Sequence, residues 1–258
     1  MIDRILICGK GSTGIAWGDL CTDHKIDVQY YDPKKNEDPP NTMFDCIHLM
    51  FPCIDANQYL TACQQILKRF ASPIIIVNST IVLGILPELV KNYPHLAFYY
   101  SPMRAREADM PAETKMLKRF IAAINNLDIG NGQILDYMKR LNLELEWFKD
   151  AEALVMGKLA EVSWFGMNIA FCQMMKLICD KYHLNFEEAY TQYTEGSRIG
   201  KDYRKTPLEY MQRPIFVPNK IGGKCVIQDI ELMQKTNCGH SNFFWWIIDQ
   251  NNNFGEKP

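Results

Sequence analysis

The sequence predicts an α/β fold in which a doubly wound parallel sheet is followed by a mainly α-helical domain. In the first 100 residues, short strands rich in β-branched and aromatic residues alternate with helical stretches, the order typical of a parallel sheet covered by helices. From residue 151 to about residue 183 the hydrophobic period becomes that of one long amphipathic helix. We therefore predict a boundary near residue 150, between a domain at 1–150 and a helical domain at 151–258.

The individual elements are assigned from their hydrophobic period and their residue types. Strands are predicted at 4–8, 27–31, 46–50, 74–77, 96–99 and 143–148, because each has enough β-branched or aromatic residues to lie inside a sheet. Helices are predicted at 15–21, 56–70, 85–92, 151–183, 186–194 and 229–236. The segments before residue 150 alternate as expected for repeated strand–helix units.

Composition and charge exclude several classes of protein. A chain of 258 residues with 47% hydrophobic residues can bury a sizeable core. A net charge of −2 gives no basic face for a nucleic acid polymer. Neither a signal peptide nor an apolar run of membrane-spanning length is evident, so we expect a cytoplasmic protein without a membrane partner. The nine cysteines form no CxxC pair, which favours buried thiols in a reducing compartment over disulfides or a metal site.

A glycine motif directly follows the first predicted strand. The strand runs into Gly-Lys-Gly-Ser-Thr-Gly, a GxGxxG pattern that opens a helix. Glycines at these positions let backbone N–H groups approach a pyrophosphate at the helix N-terminus, as in Rossmann-type domains. The predicted phosphate-binding residues are Gly9, Gly11, Ser12, Thr13 and Gly14.

An acidic residue at the end of the second predicted strand indicates which dinucleotide is bound. Asp32 lies 18 residues after Gly14, where a carboxylate can accept hydrogen bonds from the adenosine ribose. This favours NAD as the cofactor. Lys34 and Lys35 lie nearby and are suited to the 2′-phosphate of NADP, but the carboxylate makes NAD the prediction.

Six ordered segments resemble the UDP-glucose and GDP-mannose dehydrogenases of the 6-phosphogluconate dehydrogenase superfamily. The segment at 45–52 is similar to a strand of that family ending in a proline loop beside the cofactor, here Pro52. The segment at 78–84 is similar to a Ser-Thr-Val-Pro-x-Gly stretch, here with Ser79 and Thr80, whose hydroxyls lie close to the dinucleotide. The segment at 101–107 resembles an Asn-Pro-Glu-x-x-x-Glu stretch and places Glu107 on the catalytic glutamate.

The remaining three segments lie in the predicted helical domain. The Lys-Leu-Ala-Glu sequence at 158–161 resembles the start of the central helix of the family, whose lysine enters the active site. The Arg-Ile-Gly sequence at 198–200 resembles a turn that contacts the sugar. Gly-Gly-Lys-Cys-Val-Ile-Gln-Asp at 222–229 matches the Gly-Gly-x-Cys-x-x-x-Asp signature, the most specific of the six.

The resemblance implies a four-electron oxidation of a primary alcohol of a nucleotide sugar to a carboxylate, with two NAD molecules. Cys225 would hold the substrate as a thiohemiacetal and then a thioester, because a thiolate is both a good nucleophile and a good acyl leaving group. Lys158 would stabilise oxyanion character, Glu107 would be the base for hydrolysis, and Asp229 would position the water or activate the site. Arg198, Gly222 and Gly223 would bind the substrate.

Two departures from the family pattern leave other functions open. Val162 stands where the family has an asparagine that helps to hold the oxyanion, and the third, C-terminal domain that grips the nucleotide is not represented in the sequence. One alternative is a two-electron β-hydroxyacid dehydrogenase, which needs the helix lysine but no nucleophilic cysteine. Another is an NAD-binding or interaction protein with weak catalysis.

The predicted long helix at 151–183 also suggests how the chain assembles. Its apolar residues cover more than one stripe of the helix surface. Besides the residues that repeat with the helical period, it carries several large apolar side chains: Trp164, Phe165, Met167, Phe171 and Met174. A helix of this kind is usually buried on several sides. We therefore expect a homodimer with this helix in the interface.

Overall fold

A computed structural model describes residues 1–105, 109–125, 130–193, 216, 218–221, 224–235 and 241–254, with the backbone alone for residues 224 and 225. The strands are β1 (Arg4–Cys8), β2 (Asp27–Tyr31), β3 (Cys46–Leu49), β4 (Ile74–Val77), β5 (Ala97–Tyr100), β6 (Arg119–Ala123) and β7 (Leu145–Phe148). The helices are α1 (Ser12–Asp23), α2 (Ala56–Arg69), α3 (Ile85–Asn92), α4 (Met110–Met116), α5 (Asn131–Arg140), α6 (Ala151–Lys181), α7 (Lys224–Gln234) and α8 (Ser241–Asn253). A 3₁₀ turn at Pro33–Lys35 and a π-helical turn at Glu187–Gln192 complete the described elements.

The strands form one seven-stranded sheet in the order β2-β1-β3-β4-β5-β6-β7. All neighbouring pairs are parallel except β5 and β6, which are antiparallel. Every residue of β3, β4 and β5 is buried, as expected for strands covered by helices on both faces. The predicted α/β fold, with a doubly wound sheet followed by helices, is confirmed.

Strand β6 was not predicted from the sequence, and its first residue explains why. Arg119 is 2% exposed, although an arginine normally marks a solvent-facing position. Its guanidinium donates to the carbonyl of Thr114 at 2.9 Å and lies 5.1 Å from the ring centroid of Trp17. Burial lowers the pKa of Arg119 to about 10, with Arg104 as the second cause. The side chain is accommodated by partners that the sequence alone does not bring together.

Three helices were also absent from the sequence prediction, and α1 and α7 begin before the predicted residue, α1 at Ser12, three residues before 15. The missed helices are α4, α5 and α8, which are short or have polar residues that weaken the hydrophobic period. Helix α7 begins at residue 224, five residues before the predicted start at 229. Cys225 therefore belongs to the first turn of a helix.

The chain divides into two compact units, Met1–Leu159 and Ala160–Pro258. The division falls inside α6, nine residues after the predicted boundary at 150. The first unit contains the sheet and a large core that includes Trp17, Ile76 and Ile121. The second has a smaller core in which Ala170, Ile230 and Phe244 join α6, α7 and α8.

Among the described residues, α6 is the one helix that is long and apolar enough to cross a membrane by length and composition. That test is also passed by core helices of proteins that enter no membrane. The absence of a membrane partner stays a prediction.

Candidate functional site

The sheet order places a cleft at the carboxyl ends of its first three strands. β1 lies between β2 and β3, so the strand order changes direction at β1. Ligands of α/β proteins bind at such a switch point, outside the carboxyl ends of the strands. The cleft found there has a volume of about 490 Å³. It is lined by Cys8, Gly9, Gly11, Tyr31, Asp32, Pro33, Lys34, Lys35, Met50, Phe51, Pro52, Ile54, Asp55, Gln58, Tyr59, Ala62, Gln65 and Ile66.

The three motif glycines have different physical roles in this cleft. Gly9 has a φ of +106°, and a Cβ there would lie 2.8 Å from the carbonyl oxygen of Met50. A Cβ on Gly14 would lie 2.0 Å from the carbonyl oxygen of Gly9, so α1 can approach β1 only with glycine at this position. Gly11 has no atom within 4 Å of a Cβ position. Its missing side chain leaves open space at the N-terminus of α1, which fits a pyrophosphate.

The carboxylate of Asp32 forms one side of the cleft and is held by backbone groups. One oxygen accepts from the N–H of Lys10 at 2.9 Å, and the other accepts from the N–H of Lys34 at 3.1 Å. A carboxylate has about four acceptor positions, so two remain for donors such as ribose hydroxyls. The glycine loop and the acid are thus joined directly by a hydrogen bond.

Lysines surround this carboxylate without pairing with it. Lys34 and Lys35 line the cleft and are exposed. Lys10 forms an ion pair with Glu37 and lies 4.8 Å from the ring centroid of Tyr30. The ammonium of Lys35 donates to the carbonyl of Lys10. The cleft therefore combines an oriented carboxylate with positive charges at its rim.

One face of α2 also lines the cleft, and none of its residues was predicted from the sequence as a site residue. Pro52 lines the cleft as predicted, in the loop after β3. The additional lining residues of α2 are Gln58, Tyr59, Ala62, Gln65 and Ile66. Their spacing of three or four residues is that of a single helix face, which is the signal that could have identified them.

Ser79 and Thr80 are not among the residues that line the cleft. The Ser79 hydroxyl lies 2.7 Å from the carbonyl of Phe51 and accepts from the Tyr59 hydroxyl at 3.1 Å. Ser79 thus joins the end of β4 to the loop after β3. Thr80 is half-buried at the same edge of the sheet, and Ser12 and Thr13 lie in the first turn of α1.

A buried polar network connects the strand ends behind the cleft. His48 is fully buried, with Nδ1 lying 2.8 Å from Asn78 Oδ1 and Nε2 lying 3.1 Å from the Tyr137 hydroxyl. That hydroxyl also accepts from Trp17 Nε1 at 3.1 Å, while the Asn78 amide donates to the Ser101 carbonyl at 2.7 Å. Burial lowers the pKa of His48 to about 4, although the hydrogen bond to Asn78 opposes the shift. His48 is therefore neutral at pH 7.

The predicted catalytic and substrate residues are only partly described. Glu107, Arg198, Gly222 and Gly223 lie outside the described residues. Cys225 is the second residue of α7, and Asp229, 5% exposed, lies one turn later.

Two residues that the resemblance singles out lie on α6: Lys158, the lysine implied in the active site, and Val162, which stands where the family has an asparagine. Lys158 is half-buried and Val162 is 8% exposed. They are four residues apart and share one helix face. Among the described residues, no group of three or more His, Cys, Asp or Glu side chains is arranged to hold a metal ion.

The fold of this chain is similar to the folds of solved dehydrogenase structures. UDP-D-ManNAc dehydrogenase from Pyrococcus horikoshii matches with a TM-score of 0.74 and 15% identity, over 97% of this chain and 68% of that chain. UDP-glucose dehydrogenase from Pyrobaculum islandicum matches with a TM-score of 0.72 and 14% identity, over 98% and 68%. The chain has the fold of the UDP-sugar dehydrogenases.

The same fold extends to a shorter dehydrogenase. Mycobacterium tuberculosis 3-hydroxyisobutyrate dehydrogenase matches with a TM-score of 0.67 and 11% identity, over 99% of this chain and 94% of that chain. In contrast to the UDP-sugar dehydrogenases, nearly all of that enzyme has a counterpart here. No protein-family model and no curated protein sequence matches the chain.

Proposed function

We propose that this protein is an NAD-dependent oxidoreductase that oxidises an alcohol group of a small molecule. The observation that carries the proposal is the cleft at the switch point of the sheet, with Gly11 open toward the N-terminus of α1 and Asp32 held as a hydrogen-bond acceptor. The fold shared with three dehydrogenases supports it.

The residues of the cleft fit a dinucleotide in both shape and charge. Gly9, Gly11 and the N-terminus of α1 would receive the pyrophosphate, and Asp32 would accept from the ribose. The aromatic ring of Tyr31 and the apolar side chain of Ile66 line the same cleft and suit an adenine. NAD, when bound, accepts the hydride that an alcohol oxidation releases.

Our first candidate substrate is a nucleotide sugar whose primary alcohol is oxidised to a carboxylate. The Gly-Gly-x-Cys-x-x-x-Asp match at 222–229 and the UDP-sugar dehydrogenase fold support this candidate. The backbone of Cys225 lies in the first turn of α7, and a thiolate at this position would be both a good nucleophile and a good acyl leaving group. Cys225 would hold the aldehyde carbon on sulfur, and Glu107 would take a proton from the water that releases the acid.

A β-hydroxyacid is the second candidate substrate, and it would be oxidised by two electrons. Two observations favour it: the extensive match to 3-hydroxyisobutyrate dehydrogenase, and the buried Val162, which supplies no amide to an oxyanion. Lys158 would then be the main catalytic side chain and Cys225 would have no covalent role.

Counting NADH per substrate separates these candidates. The protein is incubated with NAD and limiting UDP-glucose, UDP-N-acetylmannosamine or 3-hydroxyisobutyrate, and NADH is measured at completion. We expect two NADH per nucleotide sugar, whereas one NADH per hydroxyacid would establish the second candidate. Binding of NAD by calorimetry with no turnover of any alcohol would favour the NAD-binding protein with weak catalysis.

We further propose that the protein is a cytoplasmic homodimer. The seven cysteines whose side chains the structure describes are buried and form no disulfide with one another, which supports a reducing compartment. On α6, Trp164 and Phe165 are 45% and 42% exposed, so these rings remain available for a second copy of the chain. Sedimentation at micromolar concentration should give a dimer, and a monomer would contradict this assembly.

A further inference from the structure

Two buried amide side chains in the helical unit contact the segment that leads to the Gly-Gly-Lys-Cys sequence. Gln173 on α6 has no exposed surface, and Asn251 near the end of α8 is 7% exposed. A buried amide is costly unless it makes hydrogen bonds. The partners of these two side chains therefore indicate their role.

The partners are backbone groups of one short segment. Gln173 Nε2 donates to the carbonyl of Asn219 at 2.7 Å and lies 3.3 Å from Asn251 Oδ1. Asn251 Oδ1 also accepts from the backbone N–H of Ile221 at 2.6 Å. Next to Gln173, the thiol of Cys172 donates to the carbonyl of Phe216 at 2.9 Å. Side chains of two helices thus bind backbone groups of residues 216, 219 and 221, which belong to neither a helix nor a strand.

The segment ends where the predicted substrate-binding glycines begin. Ile221 directly precedes Gly222 and stands four positions before Cys225. Its side chain packs in the same core as Phe244 and Ile247 of α8. The N–H of Ile221 is therefore the last described backbone group before α7 that a side chain fixes.

Apolar packing also joins α7 to α6, but it fixes a different property. A Cβ on Gly166 would lie 2.3 Å from Ile230, so the two helices approach closely at this point. Hydrophobic contacts are not directional and tolerate small sliding movements, whereas hydrogen bonds specify which backbone group lies where. The two amide side chains select which backbone groups of the segment lie against α6 and α8, namely the carbonyl of Asn219 and the N–H of Ile221.

We propose that Gln173 and Asn251 form an amide clamp that positions the backbone at Ile221, and through it the start of α7 at Cys225. The clamp consists of these two side chains and the backbone of Asn219 and Ile221. Both are positioning residues, because they act through the backbone and not on the substrate. The consequence for Cys225 rests on the proposed function, while the effect on the backbone does not.

The first test is amide hydrogen exchange at Ile221. Gln173→Met removes the two donors at similar side-chain length, and Asn251→Leu removes the acceptor. Both variants should exchange the Ile221 amide at least about tenfold faster than wild type, because its buried partner is lost or released. Asn168→Ala is the matched control, since Asn168 lies on α6, is half-buried, and donates to the carbonyl of Trp164 within the same helix. Unchanged exchange in both clamp variants overturns the proposal.

A conservative variant keeps the test decisive if either substitution prevents folding. Asn251→Asp retains the oxygen that accepts from Ile221 and Gln173, so its Ile221 exchange should stay within about threefold of wild type. Exchange of strand amides in β3 and β4 serves as the internal reference for global unfolding. If Asn251→Asp loses protection as fully as Asn251→Leu at unchanged strand exchange, the acceptor is not what holds the segment and the clamp is wrong.

The second test concerns the thiol. The rate constant of iodoacetamide alkylation of Cys225 should change at least about threefold in Gln173→Met, because the segment that leads to this residue is no longer held, while the KM for NAD stays unchanged. Faster exchange at Ile221 with an unchanged alkylation rate constant would overturn the link between the clamp and Cys225. If Cys225 has no covalent role, Cys225→Ser keeps full four-electron turnover, and exchange at Ile221 still decides the clamp.

Discussion

The cofactor cleft and the amide clamp fix their backbones by different means. In the cleft, Gly9 and Asp32 directly continue strands whose register the sheet sets, and the N–H of Lys10 donates to the Asp32 carboxylate and so joins the two loops. In the helical unit, the backbone at Ile221 lies outside any ladder and depends on side chains from positions 173 and 251. A parallel sheet therefore builds its site from short motifs, whereas a helical unit builds one from residues far apart in the sequence.

We therefore expect substitutions in the two units to have different effects. In the sheet unit, a change at an open position affects the ligand alone, because the strands keep the loop in place. In the helical unit, loss of one buried amide disturbs the backbone itself. The four predictions below test this contrast, beginning with the largest effect.

Cys225→Ser tests whether the helical unit carries covalent chemistry. Because a hydroxyl is a poorer nucleophile and a poorer leaving group than a thiolate, we expect the second oxidation to slow at least about thousandfold. NAD affinity should remain that of wild type, since the cleft lies in the other unit. Stopped-flow measurement of NADH formation checks both. Full four-electron turnover by the serine variant would remove the nucleotide-sugar mechanism.

His48 provides the counterexample within the sheet unit, where a side-chain network joins distant residues. Its pKa is lowered from 6.5 to about 4 in the folded protein, so only the unfolded chain binds the proton between these values. This contribution is fully present above pH 6.5 and is lost as the pH falls toward 4. It amounts to about 3 kcal/mol of unfolding free energy.

Urea unfolding at pH 7 and pH 4.5 measures this loss. His48→Gln should have a shallower decline than wild type over that interval, because no imidazole remains to titrate. An equal decline in both proteins would show that His48 does not carry the pH dependence.

Gly11→Val tests the open position of the cleft. Gly11 has a φ of −78° and no neighbour within 4 Å of a Cβ, so the fold should be retained. NAD affinity should fall at least about hundredfold, because the side chain occupies the pyrophosphate position.

Gly14→Ala is the contrasting change, because its Cβ would lie 2.0 Å from the carbonyl oxygen of Gly9. It should destabilise the fold by at least about 2 kcal/mol. Calorimetric titration and thermal unfolding distinguish the two variants. Unchanged NAD affinity in Gly11→Val would contradict a pyrophosphate at this helix N-terminus.

Much of the cleft could be predicted from sequence because its residues follow predicted strands. Gly9, Gly11, Asp32 and Pro52 line the cleft, and each follows the end of β1, β2 or β3 within a few residues. That Ser79 lies close to the dinucleotide stays a prediction, and in the structure its hydroxyl contacts the loop after β3. A motif places a residue at a sheet edge, while the direction of its side chain depends on neighbouring loops.

The sequence by itself determined the α/β fold, the long helix and the glycine motif with its acid, because these depend on periods and turns within a few residues. Tertiary structure alone decided the burial of Arg119 of β6 beside Trp17 and the meeting of Gln173 with Asn251. Both depend on contacts between residues whose separation along the chain carries no periodic signal. They become neighbours only when strands and helices pack, because burial then forces every polar group to find a partner.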